Sequence, residues 1–234
     1  MSKMKTAAQI VDEQWAQGGM PPRTSVPTTT GGLDAIETFL TEYAGGGGAT
    51  FFKFAKGSFV TRDGTTIPCG TEYIVPYTAA LVGWIRFNGE GNKPTRHMGK
   101  LFDGFLPPLR NTLGDTDMTQ WEQGLDGKPA DPWQMQMLLP LIDAKTNERF
   151  VFNTTSATGR NAVGKLIAAC KVMRRKDADI YPIVRLDVGS FRHRDSRVGT
   201  VSVPVFPIVG QAPKDGATVP DTSIAADLDD AIPF

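Results

Sequence analysis

One stretch of the chain, residues 154–173, has the apolar spacing of an amphipathic α-helix, and strand-like sequence surrounds it. A Thr-Thr-Ser cluster at positions 154–156 supplies capping hydroxyls at its start. Its apolar residues recur at helical spacing at Val163, Leu166, Ile167, Cys170 and Met173. The other segments between Thr50 and Ile208 are short and separated by turn residues. Because no βα unit repeats, the pattern excludes a doubly wound sheet and favours a mainly β fold, either a small barrel or a sandwich, with one internal helix.

Turn signals bound the predicted strands. Asp63-Gly64 is a strong hairpin signal, and Pro204 and Pro207 confine the last strand to an edge of the sheet. Residues 88–131 are predicted as a long polar loop. The predicted strands are Thr50–Ala55, Phe59–Thr61, Thr65–Ile67, Tyr73–Val75, Ala80–Phe87, Trp133–Ile142, Arg149–Thr154, Ile180–Val188 and Val198–Ile208.

The sequence divides the chain into three parts. Residues 1–48 are predicted as a flexible N-terminal arm, residues 49–210 as the folded domain, and residues 211–234 as a disordered linker with an acidic tail. Within the arm, residues 33–43 are predicted as a short amphipathic helix that ends at the glycine hinge of residues 45–48. The apolar residues of that helix are Leu33, Ile36, Phe39 and Leu40.

Charge is unevenly distributed, although 25 basic and 25 acidic residues give a formal net charge of zero. From Gln211 onward five Asp stand against one Lys, so this end carries −4 and the remainder +4. Between Arg160 and Arg197 ten Lys or Arg stand against four Asp, which makes +6. A basic body with an acidic tail is typical of a nucleic-acid-binding protein.

The tail ends in the sequence DLDDAIPF at positions 227–234. Pro233 fixes the backbone and removes a hydrogen-bond donor, so the segment suits neither a helix nor a strand. A terminal Phe with its carboxylate, behind a run of aspartates, suits capture by a protein that offers an apolar pocket with a basic rim. The predicted partner-binding residues are Asp227, Asp229, Asp230, Ile232, Pro233 and Phe234.

This ending resembles the C-terminal tip of bacterial single-stranded DNA-binding proteins, which finish in an Asp-rich run followed by Ile-Pro-Phe. Asp229, Asp230 and residues 232–234 match that pattern, and Ala231 stands where the family usually has Asp. The resemblance implies an OB-fold that binds single-stranded DNA, and a tip that recruits replication, recombination and repair enzymes.

The body departs from the usual layout of that family, in which the barrel begins near the first residue and a long linker precedes the tip. Here the predicted arm comes first, and the linker from Gly210 to Ala226 is short. We therefore interpret the chain as a phage- or prophage-encoded protein with a decorated OB-fold-like barrel. The strand pattern by itself fits other small barrels equally well.

Binding single strands requires a basic groove for phosphates and aromatic faces on which bases stack. Trp84 and Arg86 share one face of a predicted strand, and Phe51 and Lys53 share one face of another. If the residues that alternate with them face the core, these two pairs are available for DNA. Either aromatic could instead be core. Residues 191–194 place an aromatic ring among cations in a predicted loop between strands. The predicted DNA-binding residues are Phe51, Lys53, Trp84, Arg86, Trp121, Lys165, Lys171, Arg174, Arg175, Lys176, Phe191, Arg192, Arg194 and Arg197.

No enzymatic activity, cofactor or metal site is predicted. Residues 159–166 resemble a phosphate-binding P-loop, but Leu166 stands where that motif needs Ser or Thr. His97 and His193 are the only histidines and have no second ligand at metal spacing.

The cysteines and the hydropathy predict an intracellular location. Cys69 and Cys170 lie far apart in no motif and are interpreted as reduced thiols. No apolar run is long enough to span a membrane, so no membrane partner is predicted. We expect the protein in the cytoplasm of a bacterial host.

Together these features predict a protein that coats single-stranded DNA without sequence specificity in phage replication, recombination and repair, and recruits host enzymes through its tip. Two alternatives stay open. One is an interaction protein that mimics the tip to sequester or redirect host enzymes without binding DNA. The other is a recombination or annealing factor. The sequence does not decide whether copies of the chain form a homo-oligomer.

Overall fold

The computed structural model describes residues 48–88, 94–124, 127–197 and 199–214. The predictions for the arm up to residue 47 and for the tail from residue 215, including the whole partner-binding segment, lie outside the described residues. Of the described residues, 44% are in strands and 21% are helical, which confirms a mainly β fold.

The described ranges contain one α-helix, α1 (Ala157–Lys176), and four single-turn 3-10 helices. The 3-10 helices are Tyr77–Ala79, Leu101–Asp103, Arg110–Thr112 and Met118–Gln120. The strands are β1 (Thr50–Ala55), β2 (Ser58–Thr61), β3 (Thr66–Ile67), β4 (Glu72–Ile74), β5 (Leu81–Arg86), β6 (Thr95–Lys100), β7 (Trp133–Asp143), β8 (Arg149–Thr154), β9 (Ile180–Arg185), β10 (Asp187–Arg192), β11 (Thr200–Val205) and β12 (Ile208–Pro213).

Ten of these strands form one curled sheet, and β10 and β11 form a separate antiparallel hairpin. The strand order of the large sheet is β12-β9-β4-β7-β8-β1-β2-β3, with β5 and β6 attached beside β7. The long strand β7 branches the sheet because Trp133–Leu138 pairs with β5, whereas Ile142 and Asp143 pair with β4. The sheet curls into a half-barrel and, with the one α-helix of the described ranges, it is consistent with the expected OB-like fold.

The pairing register assigns every side chain of the sheet to one of two faces. Phe52 pairs with Phe152, and Phe152 with Leu139, so these three residues share the first face. Helix α1 packs on this face and completes the main core. From the helix the core includes Val163, Leu166, Ile167 and Cys170. The second face carries a separate cluster of buried side chains, namely Ala79, Leu81, Met98, Leu138 and Val151.

The register shows which face of the sheet carries Trp84 and Arg86. Trp84 pairs with Met135, which is in phase with Leu139, so Trp84 and Arg86 point to the first face, the face of the main core. Phe51 pairs with Val151 and points to the second face. The two predicted aromatic–cation pairs therefore lie on opposite sides of the sheet.

Residues 88–131 are not a loop throughout, because β6 lies within them. Its sequence Thr-Arg-His-Met-Gly-Lys lacks the apolar alternation of a strand, but it pairs with β5 along its whole length. Gly99 in this strand leaves room for the ring of Phe105, since a Cβ there would lie 2.3 Å from the Phe105 Cγ. Tertiary pairing thus decides this strand and local propensity does not.

The last two predicted strands are each divided in two. β9 and β12 pair with each other in the large sheet, whereas β10 and β11 leave it as the hairpin. Phe191 and Arg192, predicted in a loop, form the end of β10, and only His193 and Arg194 enter the turn. Within the described ranges no helix is both long and apolar enough to cross a membrane.

Candidate nucleic-acid interface

Helix α1 is a strongly basic element. The Ser156 hydroxyl accepts a hydrogen bond from the Gly159 backbone N–H at 3.0 Å and caps its start. The helix carries six Lys or Arg and no acidic residue, and Arg174, Arg175 and Lys176 occupy its last turn. Cations at this end interact favourably with the partial negative charge of the helix dipole. The exposed side of α1 therefore presents a positive surface beside the half-barrel.

An apolar groove of about 510 Å³ lies between α1 and the β10–β11 hairpin. We call it the helix–hairpin groove. Its helix wall includes Asn161, Lys165 and Leu166, and its hairpin wall includes Phe191, Val203 and Val205. The side chain of Lys165 is exposed, and Phe191 is 44% exposed although it is a large apolar residue. The groove thus brings together Lys165 and Phe191, two predicted DNA-binding residues that lie far apart in the sequence.

The hairpin holds Phe191 beside further cations. Phe191 of β10 pairs with Val201 of β11, and Gly189, two residues before Phe191, pairs with Val203. The backbone N–H of His193 donates to the Gly199 carbonyl at 2.9 Å and closes the turn. Within the turn, Arg197 binds the Asp195 carboxylate at 2.7 Å, so part of its charge is compensated. Arg192 and Arg194 are both exposed, and no ion pair with them occurs among the described residues.

The cations at the end of α1 divide into two groups. The Lys171 Nζ and the Arg174 Cζ lie 5.9 and 5.8 Å from the ring centroid of Phe102, in cation–π geometry. Arg175 and Lys176 are exposed and extend beyond the helix end. Lys171 and Arg174 therefore lie against the 3-10 helix at Leu101–Asp103, whereas Lys165 faces the hairpin.

The tryptophans predicted as stacking platforms are engaged by the long segment that follows β6. The Trp84 indole N–H donates to the Pro108 carbonyl at 2.8 Å, and the Trp121 indole N–H donates to the Asp115 carbonyl at 2.8 Å. The Asp115 carboxylate accepts from the Trp133 indole at 3.1 Å and pairs with Arg86 at 3.1 Å. Trp84 and Trp121 keep partly exposed rings, but their polar edges are already satisfied.

Arg110 connects distant parts of this segment with one another. Its guanidinium binds the Asp131 carboxylate at 2.7 Å, donates to the carbonyls of Gly114 and Asp115, and lies 5.7 Å from the ring centroid of Trp121. Partial burial acts to raise the pKa of Asp131, but hydrogen bonds from Arg110 and from the Trp133 N–H outweigh it and hold the pKa below its usual value. The carboxylate is therefore stabilised in its charged form.

Acidification should release this contact. A carboxyl group whose pKa is lower in the folded than in the unfolded state stabilises the fold. This stabilisation is fully present at a pH above the unfolded-state pKa of about 3.9. It is lost as the pH falls through the lower, folded-state pKa. We expect tryptophan fluorescence to change as the pH falls below about 4. Asp131→Asn cannot form the ion pair, so it should lack the acid transition. An identical transition in this variant, with far-UV circular dichroism unchanged, would assign the transition to another group.

The segment that resembles a P-loop has a packing role. Residues 159–166 lie inside α1 and form no loop around a phosphate. A Cβ at Gly159 would lie 2.0 Å from the Thr154 Oγ1, so the close approach of the helix to β8 requires glycine here. No group of three metal-ligating side chains occurs within the residues that the structure describes. Burial raises the pKa of the Cys170 thiol to about 12, which makes it a poor nucleophile.

Beside the cations at the end of α1, seven of the predicted site residues lie in three separate places. Lys165 and Phe191 meet in the helix–hairpin groove, Trp84, Arg86 and Trp121 lie at the segment that contains Arg110, and Phe51 and Lys53 belong to the second face. The sequence interpretation missed Asn161, Val203 and Val205. Asn161 was detectable from its spacing of four residues from Lys165, but the two valines required knowledge of how the hairpin packs.

Comparison of the chain with protein-family models, with curated proteins and with solved structures finds no match.

Proposed function

We propose that this protein binds single-stranded DNA without sequence preference, and that the helix–hairpin groove is the centre of its DNA-binding surface. The observation that carries the proposal is the meeting of an exposed aromatic ring, Phe191, with a basic residue, Lys165, across one apolar groove. Single-strand binding needs this pairing of a stacking platform with cations for the phosphates.

The surroundings of the groove fit a polyanion that runs along it. Arg192 and Arg194 lie beyond Phe191 on the hairpin, and Arg175 and Lys176 extend the positive surface at the end of α1. Apolar walls formed by Val203 and Val205 can accept any base, because every base has an apolar face. Cations contact phosphates regardless of sequence. The arrangement favours coating of a strand over recognition of one site.

Binding of fluorescein-labelled oligo-dT, measured by anisotropy over a range of salt concentrations, tests the proposal. Each phosphate neutralised on a single strand contributes about −0.7 to the slope of log K against log salt. With several cations around the groove we expect a slope of about −2 or steeper. Equal affinity for oligo-dT and a mixed sequence is also expected. Absence of binding at low salt would reject the proposal and favour an interaction protein.

We propose in addition that residues 227–234 recruit replication and repair enzymes of a bacterial host, as the resemblance of this segment implies. Its aspartates suit a basic ridge, and Ile232, Pro233 and Phe234 suit an apolar pocket.

Deleting residues 232–234 should leave the affinity for oligo-dT intact and abolish binding of an enzyme that recognises such tips. The reason is that the apolar anchors of the tip are lost while the groove is unchanged. Pull-down of a tip-binding nuclease or helicase, beside the oligo-dT titration, measures both effects. Replacing Thr222 and Ser223 by Ala in the linker serves as the control. Loss of DNA binding on the deletion would contradict this division of roles.

A further inference from the structure

The second face of the sheet contains aliphatic side chains that are buried as completely as those of the main core. Leu81, Met98 and Val151 are 0% exposed, and Ile85 is 1% exposed. All four side chains point away from α1, because the residues before and after each of them along its own strand point to the first face. Fully buried aliphatic side chains on a sheet face require a cover, since each would otherwise expose its apolar surface to water.

The described residues provide little of that cover. Only two partly buried apolar residues, Ala49 and Phe51, pack against this cluster among them. Helix α1 packs on the opposite face, within the main core. Ala49 and Phe51 also lie where the described chain begins, at Gly48. The chain therefore enters the domain over the second face.

We propose that residues 33–43 of the same chain cover the second face as an amphipathic helix. Leu33, Ile36 and Leu40 recur at helical spacing, and Tyr43 continues the same stripe three residues after Leu40. The four glycines of residues 45–48 can span up to about 13 Å, at roughly 3.3 Å per residue, so the stripe is within reach of the cluster beyond Ala49.

Polar groups on the second face fit the chemistry of this segment. Arg96 pairs with Ile85 in the register and so lies on this face, half-buried, and residues 33–43 contain three acidic and no basic residues. Glu37 borders the apolar stripe, where a carboxylate can reach a basic residue at the edge of the face. The Gln136 Oε1 is buried and has no hydrogen-bond partner among the described residues, while its Nε2 donates to the Asn153 Oδ1 at 2.8 Å. The Tyr43 hydroxyl is a donor on the stripe.

This cover has a consequence for the predicted DNA-binding residues. It makes Phe51 part of an internal contact that anchors the start of the domain. It leaves the helix–hairpin groove, on the side of α1, open to DNA. The inference stands on the burial of the second face alone and holds whether or not the protein binds DNA.

Hydrogen–deuterium exchange on the full-length chain tests the cover. Ile36→Asp together with Leu40→Asp places two charges in the stripe, and we expect amide exchange in β5 and β7 to become at least about tenfold faster. Thr38→Asp together with Thr41→Asp adds the same charge on the opposite side of the helix and serves as the matched control. Equal exchange in the two variants would overturn the inference.

Photo-crosslinking gives a second test that needs no disruptive variant. A photoreactive leucine analogue at position 36 should crosslink to β5 or β7 of its own chain, whereas the same group at position 38 should not. Mixing isotopically light and heavy protein distinguishes links within a chain from links between chains. Crosslinks between chains, or crosslinks to α1 and the hairpin, would overturn the inference.

Discussion

If the helix–hairpin groove binds DNA as proposed, replacing Phe191 by Ala should lower the affinity for oligo-dT by about five- to 150-fold, because one stacked base contributes roughly 1–3 kcal/mol. The ring is 44% exposed at the edge of the helix–hairpin groove, so its removal takes away a stacking face without opening the main core. Anisotropy titrations at fixed salt measure the loss, and a urea denaturation curve shows that the fold is kept.

Phe87→Ala is the matched control for this prediction. Phe87 is 37% exposed, lies just beyond β5, and does not line the groove. Its replacement should leave the affinity within about twofold of the wild type, as expected for a surface substitution away from the site. A similar loss in both variants would show that general surface hydrophobicity, and not the groove, determines binding.

Lys165→Glu tests the role of the same groove independently. Reversing this charge should weaken binding at low salt. It should also make the slope of log K against log salt shallower by the contribution of about one phosphate contact or more. If Phe191→Ala lowers the affinity but leaves the slope of log K against log salt unchanged, Phe191 stacks on a base. If Lys165→Glu lowers the affinity and also makes that slope shallower, Lys165 contacts a phosphate.

Replacing Phe52 by Ala lowers the free energy of unfolding by about 3–5 kcal/mol, as for other buried aromatic residues. Phe52 is 0% exposed and stands at the centre of the main core. Its ring centroid lies 5.4 Å from that of Phe152 and 6.1 Å from that of Phe59, and the rings of Tyr73 and Phe150 lie at 6.2 Å, so truncation leaves a cavity that four aromatic neighbours border. Urea denaturation followed by circular dichroism measures the loss.

Phe51→Ala is the control for Phe52→Ala, because it removes the same atoms one residue earlier. Phe51 is only half-buried and points to the second face, so we expect a clearly smaller loss of stability. An equal or larger loss in Phe51→Ala would contradict the assignment of the two faces.

Most strands could be predicted because their signals are local. Thr50–Ala55 and Arg149–Thr154 have the predicted bounds, and α1 contains the predicted apolar stripe. β6 could not be predicted, because its polar sequence becomes a strand only when β5 supplies a partner along its whole length. The division of the last two predicted strands was likewise undetectable, since hydropathy does not show where a chain leaves one sheet for another.

The candidate site was predictable in its residue types but not in its assembly. Lys165 and Phe191 could be selected because a basic helix and an aromatic among arginines are visible in sequence. Alternation shows that Trp84 and Arg86 share a face, but it does not show which face carries the main core. That choice depends on the register with β7 and on the side where α1 packs.

The sequence by itself determined the mainly β character, the single internal helix, the basic body and the acidic tail, because each follows from local spacing or from the order of charges. Only the tertiary structure decided that Lys165 meets Phe191 in one groove, that Phe51 and Trp84 lie on opposite faces, and that a second buried face exists. The physical reason is that all three depend on contacts between segments distant in the chain, and the packing of the whole sheet selects those contacts.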